Sequence, residues 1–482
     1  MMAESGKFLI LGGGISGLCA AYRLLGKVGN PKNITVLESS ARLGGWIQSK
    51  RYDDGAIFEL GPRGLRPAGP AGTASLQLAY DLGLENQVVA VSYDHVSAKN
   101  RYIFANNKIH KLPSGIGSLF KSLPFLSKNL LPTLLKEPMV PKKKNKDDES
   151  IYNFISRRLN SEIADFIIDP MCRGIFAGDI KKLSVKSCLP MLYNLEENSG
   201  SIVKGVLFGK SPEVPKDANS LIVKASKEKW SLWTLEKGLN TLVDALENKL
   251  QDSGVTVLKE THLASIKINE DKTIEAKGAG KDEVFGADHL ISGIPSTQLA
   301  GLLPEEHALL KNLLRKISAV TVAVVNLEFE GSVLDIEGFG YLYPSQESRK
   351  VLGVIFDSST FSHGDRRSST STRLTVMLGG NYFEEEFGDP NETDKDYIKN
   401  EALVALQNAL GVQGEPSKIC VSIHKECIAQ YNVGHSDLLQ SMRQYVSQQN
   451  LPLTFVGSWY DGVGINDCVY NTQLAVDKIF GK

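Results

Sequence analysis

The residues best suited to chemistry stand near the start of the chain. Gly12-Gly13-Gly14-Ile15-Ser16-Gly17 sets three glycines at G-x-G-x-x-G spacing. They come after the apolar run at residues 7–11 and precede a helical pattern carrying Leu18, Ala21, Tyr22 and Leu25. In that context Gly12 permits a tight turn, Gly14 lets backbone approach a pyrophosphate, and Gly17 lets the helix pack closely on the strand. The helix N-terminus then faces the phosphates. Glu38 closes the next apolar run, Ile34–Leu37, 21 residues after Gly17. Its carboxylate can accept hydrogen bonds from both ribose hydroxyls and would repel a 2′-phosphate. The arrangement reads as a dinucleotide site, and FAD and NAD both satisfy it.

The residues after Glu38 separate the two cofactors. The string Glu38-x-x-x-Arg42-x-Gly44-Gly45, continued by Trp46 and Ser49, resembles the FAD-binding amine oxidase and protoporphyrinogen oxidase superfamily. The resemblance implies a non-covalent FAD. Besides Gly12 to Gly17 and Glu38, it assigns Ser39, Arg42, Gly45, Trp46, Gly61, Pro62, Arg63 and Gly64 to the cofactor. Leu263, Ser458, Val463, Gly464 and Ile465 complete the set, the last group placing a helix N-terminus near the flavin pyrimidine. No second strand–GxGxxG–helix is present, because Gly278-Ala279-Gly280 lacks the third glycine and a helix behind it. An enzyme fed by NAD(P)H usually has its own site for that cofactor. Direct oxidation of an organic substrate, with another acceptor regenerating the flavin, is the expectation.

Longer strings narrow the substrate. Gly55-Ala56-Ile57-Phe58-Glu59-Leu60-Gly61-Pro62-Arg63-Gly64, Cys172-Arg173-Gly174-Ile175-Phe176-Ala177-Gly178, Val324-Val325-Asn326-Leu327 and Val376-Met377-Leu378-Gly379-Gly380 are similar to the animal-type protoporphyrinogen IX oxidases. The resemblance implies six-electron oxidation of protoporphyrinogen IX by oxygen, the penultimate step of haem synthesis. That substrate is a broad apolar macrocycle with two propionates, so its site needs apolar walls and a cation. By resemblance Phe339, Leu342, Ile355 and Met377 are walls, Gly174 lies close to the ring, and Arg101 binds a propionate. Taken alone, the apolar residues are ordinary core and Arg101 a surface ion pair. Arg63 could hold the cofactor or place the substrate; the first is favoured. The resemblance also implies a monotopic association with the mitochondrial inner membrane and leaves open a homodimer and hand-over to ferrochelatase; no cleavable presequence is expected, because only residues 1–6 precede the first apolar run.

The elements that must position these residues suggest an α/β chain, α+β overall. A Rossmann-like FAD-binding lobe is expected from the separated segments 1–91, 230–298 and 420–482. A helical, membrane-associating insertion is expected at 92–209, a linker at 210–229, and a mixed-sheet substrate lobe at 299–419. Residues 113–135 mix prolines and lysines with Leu119, Phe120, Leu123, Phe125, Leu126 and Leu130, too short to span a bilayer but able to lie in its interface. A helical cap over the substrate lobe is the alternative.

Composition excludes several other classes. Lysine and arginine total 54 against 55 acidic residues in 482, a net charge of -1, so bulk charge does not suit a nucleic-acid partner. Six cysteines form no C-x-x-C, eight histidines are scattered, and no metal site or nucleophile stands out, so no catalytic residue is assigned. Two rivals stay open: an amine or carotenoid oxidoreductase of the same superfamily, and a flavin-binding scaffold without turnover.

Overall fold

The structure, a computed structural model, describes residues 5–114, 123–127, 129–143, 147–208, 218–280 and 283–481. Five parallel strands build the first lobe, in the order Leu453–Phe455, His289–Ser292, Phe8–Leu11, Ile34–Leu37 and Thr256–Leu258. The central strand is a continuous apolar run because both faces of a parallel sheet are covered. Helix Ile15–Leu25 buries Leu18, Ala20, Ala21 and Leu24 among Leu242, Val243 and Leu246 of helix Asn240–Asp252 and Val469 of helix Ile465–Ile479. This sheet comes from three distant parts of the chain, as a discontinuous lobe requires.

The second lobe is a seven-stranded mixed sheet. Its order is Lys418–Gln430, Ser318–Glu330, Ser371–Gly380, Val351–Phe356, Gly340–Leu342, Tyr102–Ala105 and Lys108–Lys111. One face carries Val325, Leu327, Tyr341, Val354, Phe356, Leu374 and Val376, all buried against Ile398, Ala402 and Leu406 of helix Lys395–Leu410. Register places the other residues on the opposite face in two cross-strand rows: Val324, Met377, Gly353, Leu342 and Ile103, then Asn326, Thr375, Ile355 and Gly340. The first row meets Gly174 and Ala177 of the insertion, and Thr375 of the second reaches Asp357, the partner of Arg63 in the first lobe.

Two expected boundaries shift. Residues 102–111, placed in the helical insertion, form a hairpin on one edge of this sheet, turned at Asn106 and Asn107 with φ of 52° and 58°. Paired asparagines adopt that left-handed turn readily and match the twist of the strands. Lys418–Gln430, placed almost wholly in the cofactor lobe, is the other edge. Of the expected linker, 210–217 lies outside the described residues. Ser220–Lys227 is a helix capped by the Asn219 side chain, with Leu221, Ile222 and Ala225 in the first lobe's core.

Past residue 130 the insertion is helical, with helices Ile151–Arg158, Asp169–Phe176, Pro190–Ser199 and Ile202–Phe208. Its interior holds a fully buried Glu137. This carboxylate accepts from Arg158 Nε at 2.7 Å, Ile202 N at 2.9 Å, Val203 N at 3.1 Å and the Ser201 hydroxyl. Burial pushes the Glu137 pKa up, but these donors outweigh it and hold the group below its ordinary value. The stretch 113–135 is only partly described, since 115–122 and 128 lie outside. Leu123 and Phe125 are core residues, not an exposed face; Phe125 packs between His110 and Phe166.

Candidate cofactor and substrate site

The glycine turn is built as its spacing requires. Gly12 has φ of 94° and donates to Leu37 O at 2.8 Å, and a Cβ on Gly17 would overlap the Gly12 carbonyl oxygen. Gly14 caps helix Ile15–Leu25 without any side-chain cap, leaving first-turn N–H groups for a ligand. The second glycine pair lies beside the first: Gly44 N donates to Gly13 O at 2.8 Å, and Gly45, at φ of 59°, faces Gly14. A Cβ on Gly61 would overlap the Trp46 carbonyl, so Gly61-Pro62 runs against Trp46.

Glu38 is anchored at the end of its strand. Its Oε2 accepts from Gly13 N at 2.7 Å and its Oε1 from Ser40 N at 2.8 Å; the group is only half-buried, so lone pairs remain for a ribose. Ser39 is exposed beside it. Arg42 turns onto its own loop, donating to Gly45 O at 2.6 Å and to Leu43 O and Ile47 O at 3.2 Å. Its guanidinium braces the second glycine pair. Across the sheet, Thr261 N donates to Glu38 O at 2.9 Å, bringing half-buried Leu263 to the same edge. The Tyr431 hydroxyl donates to Ser458 O at 2.7 Å and accepts from Gly462 N at 2.8 Å. That clasp shapes the turn before Gly464, which caps helix Ile465–Ile479; Val463 and Ile465 stay half-buried. A close glycine pair, an uncapped helix N-terminus and an anchored carboxylate fit a dinucleotide such as FAD.

Arg63 is engaged in a buried ion pair. Its Nη1 donates to Asp357 Oδ1 at 2.6 Å, tying the Gly61–Gly64 segment to the end of strand Val351–Phe356. Asp357 Oδ2 accepts from Thr375 Oγ1 at 2.7 Å, and Asn326 Oδ1 lies 2.8 Å from the same hydroxyl. One hydroxyl proton cannot serve two acceptors. The charged Asp357 takes it, and the Asn326 amide, rotated, donates to Thr375. This buried polar chain joins the two lobes. His424 adds to the seam, donating from Nε2 to Leu60 O at 2.6 Å with its ring edge-on to Trp46 at 5.4 Å.

Sequence reasoning passed over Glu59, although it stands between Gly55 and Gly64 in one of the family-like strings. Burial pushes its carboxyl up to about 7, against donors at Leu239 N and Ser49 Oγ, both at 2.8 Å.

The expected walls are brought together. On strands Gly340–Leu342, Val351–Phe356 and Ser371–Gly380, the half-exposed residues are Leu342, Ile355 and Met377; their strand neighbours are buried. All three share one face of the sheet. Gly174 meets that wall from helix Asp169–Phe176, where a Cβ would stand 2.9 Å from Leu342 Cδ2. Arg173 fixes the approach by donating to Tyr343 O, Ser348 O and Arg349 O at 2.7–3.0 Å. Half-buried Phe339 lies under Arg101, whose guanidinium carbon is 5.8 Å from the ring centroid. Burial and the nearby positive charge of Arg66 hold the Arg101 pKa below its ordinary value. Arg66 was not singled out from sequence; its only signal is its place just beyond Gly64. Among the described residues no cluster of three histidine, cysteine, aspartate or glutamate side chains could hold a metal ion.

Comparison with known proteins agrees with this geometry. The family model of flavin-containing amine oxidoreductases matches residues 15–479. The protoporphyrinogen oxidase of Homo sapiens is 41% identical over 477 residues, 98% of both chains. That of Schizosaccharomyces pombe is 30% identical, again over 98% of both. The solved structure of a protein from Exiguobacterium sp. 255-15, 24% identical, superposes over 99% of both chains with a TM-score of 0.77, which shows a shared fold.

Proposed function

Because the chain belongs to the flavin-containing amine oxidoreductase family, we propose that it binds FAD without a covalent link and oxidises protoporphyrinogen IX to protoporphyrin IX. It is an FAD-dependent oxidoreductase of the protoporphyrinogen oxidase kind, acting in haem biosynthesis. The observation that carries the substrate is the half-exposed apolar face of Leu342, Ile355 and Met377, which shares its side of the sheet with the Thr375–Asp357–Arg63 chain to the cofactor lobe and has Arg101 over Phe339 nearby. Such a surface suits a broad apolar ring with an anionic margin and offers nothing to a small amine.

Bound flavin supplies a two-electron acceptor, used three times per product and regenerated by oxygen. The chain's own residues bind and orient. The wall and Phe339 hold the macrocycle flat, Gly174 leaves room beside Leu342, and Arg101 meets a propionate with two parallel N–H donors. Arg101→Ala should lower kcat/KM for the free acid well over tenfold and leave a propionate diester nearly unaffected. The N-terminus of helix Ile465–Ile479, where Asp467 accepts from Gly464 N at 3.3 Å, favours negative charge.

The same reading puts the protein on the mitochondrial inner membrane as a monotopic protein. Leu135, Met139, Val206, Leu207 and Phe208 support it; Met139 and Phe208 are 82% and 83% exposed. They lie on adjoining elements, since helix Ile202–Phe208 packs on Glu137–Met139. A contiguous exposed apolar patch marks an interaction surface. No described helix is long and apolar enough to cross a membrane. Pairing with a second copy and hand-over to ferrochelatase belong to this reading.

The test is anaerobic mixing of the holoenzyme with protoporphyrinogen IX while flavin absorbance is followed. Bleaching, then recovery on adding oxygen with three peroxides per porphyrin, is expected. Flavin that stays oxidised, or a strict need for NADPH, would refute it.

A further inference from the structure

We propose that Arg66 is a second carboxylate anchor, paired with Arg101 so that the two guanidinium groups grip a substrate bearing two carboxylates along one edge. This rests on the reading of the site as a porphyrinogen oxidase centre, and it adds a specificity-determining residue to it.

Topology brings the two arginines to one end of a small sheet. Leu65 exchanges both backbone hydrogen bonds with Trp233 at 2.8 Å, on one side of strand Trp230–Leu235. Strand Val88–Ser92 pairs on the other side, with Ala90 opposite Trp233. Both flanking segments run antiparallel to the central strand, so they run parallel to each other. The chain leaving Leu65 as Arg66 and the chain leaving Ser92 as Tyr93 therefore emerge at the same end. Helix Val96–Lys99 then delivers Arg101 beside Phe339. The Arg66 carbonyl accepts from Asn466 Nδ2 at 2.7 Å, in the first turn of helix Ile465–Ile479. Arg66 is thus fixed to the cofactor lobe, whereas Arg101 belongs to the edge of the substrate sheet.

Charge points the same way. Arg23, Arg157, Arg366 and Arg373 each find a carboxylate within 3 Å. Among the described residues Arg66 and Arg101 find none, and Arg101 has only the Phe339 ring beneath it. The positive charge of Arg66 is close enough to disfavour that of Arg101. Two unpaired like charges near each other repel, and a ligand bringing two anions gives each guanidinium its own partner. Protoporphyrinogen IX carries its propionates on neighbouring pyrroles, along one side of an otherwise apolar ring. Each guanidinium can take one carboxylate through parallel N–H donors.

The experiment compares holoenzyme variants Arg66→Ala, Arg66→Lys and the double Arg66→Ala/Arg101→Ala on protoporphyrinogen IX and its dimethyl ester. Arg66→Ala should raise KM for the diacid about five- to thirtyfold, with kcat little changed and the diester unaffected. Both arginines are exposed, so the penalty should shrink as salt rises from about 0.05 to 0.5 M. Arg66→Lys should recover part of the loss. Equal effects on diacid and diester, an unchanged diacid KM, or a change confined to FAD affinity would each overturn the anchor. A separate arm measures quenching of protein fluorescence by protoporphyrin IX and by its dimethyl ester, which needs no turnover. If the wild type fails to oxidise the diacid, the functional reading falls. The anchor then stands or falls on whether the wild type, but not Arg66→Ala, prefers the diacid in that arm.

Discussion

Asp357→Leu should unseat the joint between the lobes. The Arg63–Asp357 side chains are only 8% and 12% exposed, so solvent screens them little. Removing one partner strands a buried guanidinium, a change that costs about 3–5 kcal/mol. Thr375 keeps an acceptor in Asn326 Oδ1 at 2.8 Å, so its hydroxyl adds little to that loss. Arg63→Met should cost a similar amount by stranding the carboxylate. The double variant Arg63→Met/Asp357→Leu removes both charges and should recover at least about 2 kcal/mol of the summed loss. Urea unfolding of the four proteins, measured by circular dichroism, reads this coupling. Flavin dissociation constants from titration of the apoproteins form a second readout, because Arg63 also shapes the Gly61–Gly64 loop; both single variants should weaken FAD and the double should regain part. Strictly additive losses in both measurements would show that the two charges act independently and that no coupled seam joins the lobes.

Acid or heat denaturation should release FAD into the supernatant; flavin left on the peptide, or FMN released instead, would contradict the non-covalent site. Glu59 titrates near 7 in the fold against an ordinary value of 4.5. Its contribution is therefore fully present below about pH 4.5 and lost as pH rises through 7, by up to roughly 3 kcal/mol at 1.36 kcal/mol per unit. Glu59→Gln should flatten that slope relative to the wild type in urea unfolding between pH 5 and 8, and an unchanged slope would mean that burial does not raise this carboxyl. Leu207→Glu with Phe208→Glu should reduce co-flotation with anionic liposomes while leaving detergent-solubilised activity near wild type; equal flotation would move the membrane face elsewhere.

The parts of the site that were legible in sequence are those fixed by local backbone geometry. Gly12, Gly17 and Gly44-Gly45 must be glycine because carbonyls and neighbouring chain occupy the space of a Cβ or because φ is positive, and such demands leave a spaced signature; Gly14, at φ of -70° with room for a Cβ, answers only to close approach by a ligand. Glu38 was legible because it closes a strand at a fixed distance from that turn. The wall residues were legible only through family resemblance. In sequence, Leu342, Ile355 and Met377 are ordinary strand residues, and their half-exposure depends on which lobe stands opposite. The seam escaped because Arg63 and Asp357 lie 294 residues apart. The hairpin at 102–111 was missed for a nearer reason: an Asn106-Asn107 turn was present but lost among the glycines and prolines around it.

The sheet assembled from distant segments bears on the order in which the protein comes together. Strand Leu453–Phe455 covers the open side of His289–Ser292, and helix Ile465–Ile479 packs against Ile15–Leu25. While the ribosome is still making the middle of the chain, the glycine turn already exists but half of its lobe does not. The unpaired edge of His289–Ser292 is then open to wrong partners, a hazard that chaperones screen. The turn at Gly464 is made long after Gly12–Gly17, so the two helix N-termini of the cofactor site come together only after helix Ile465–Ile479 has been synthesised. Loss of helix Ile465–Ile479 should therefore yield a colourless protein prone to aggregation.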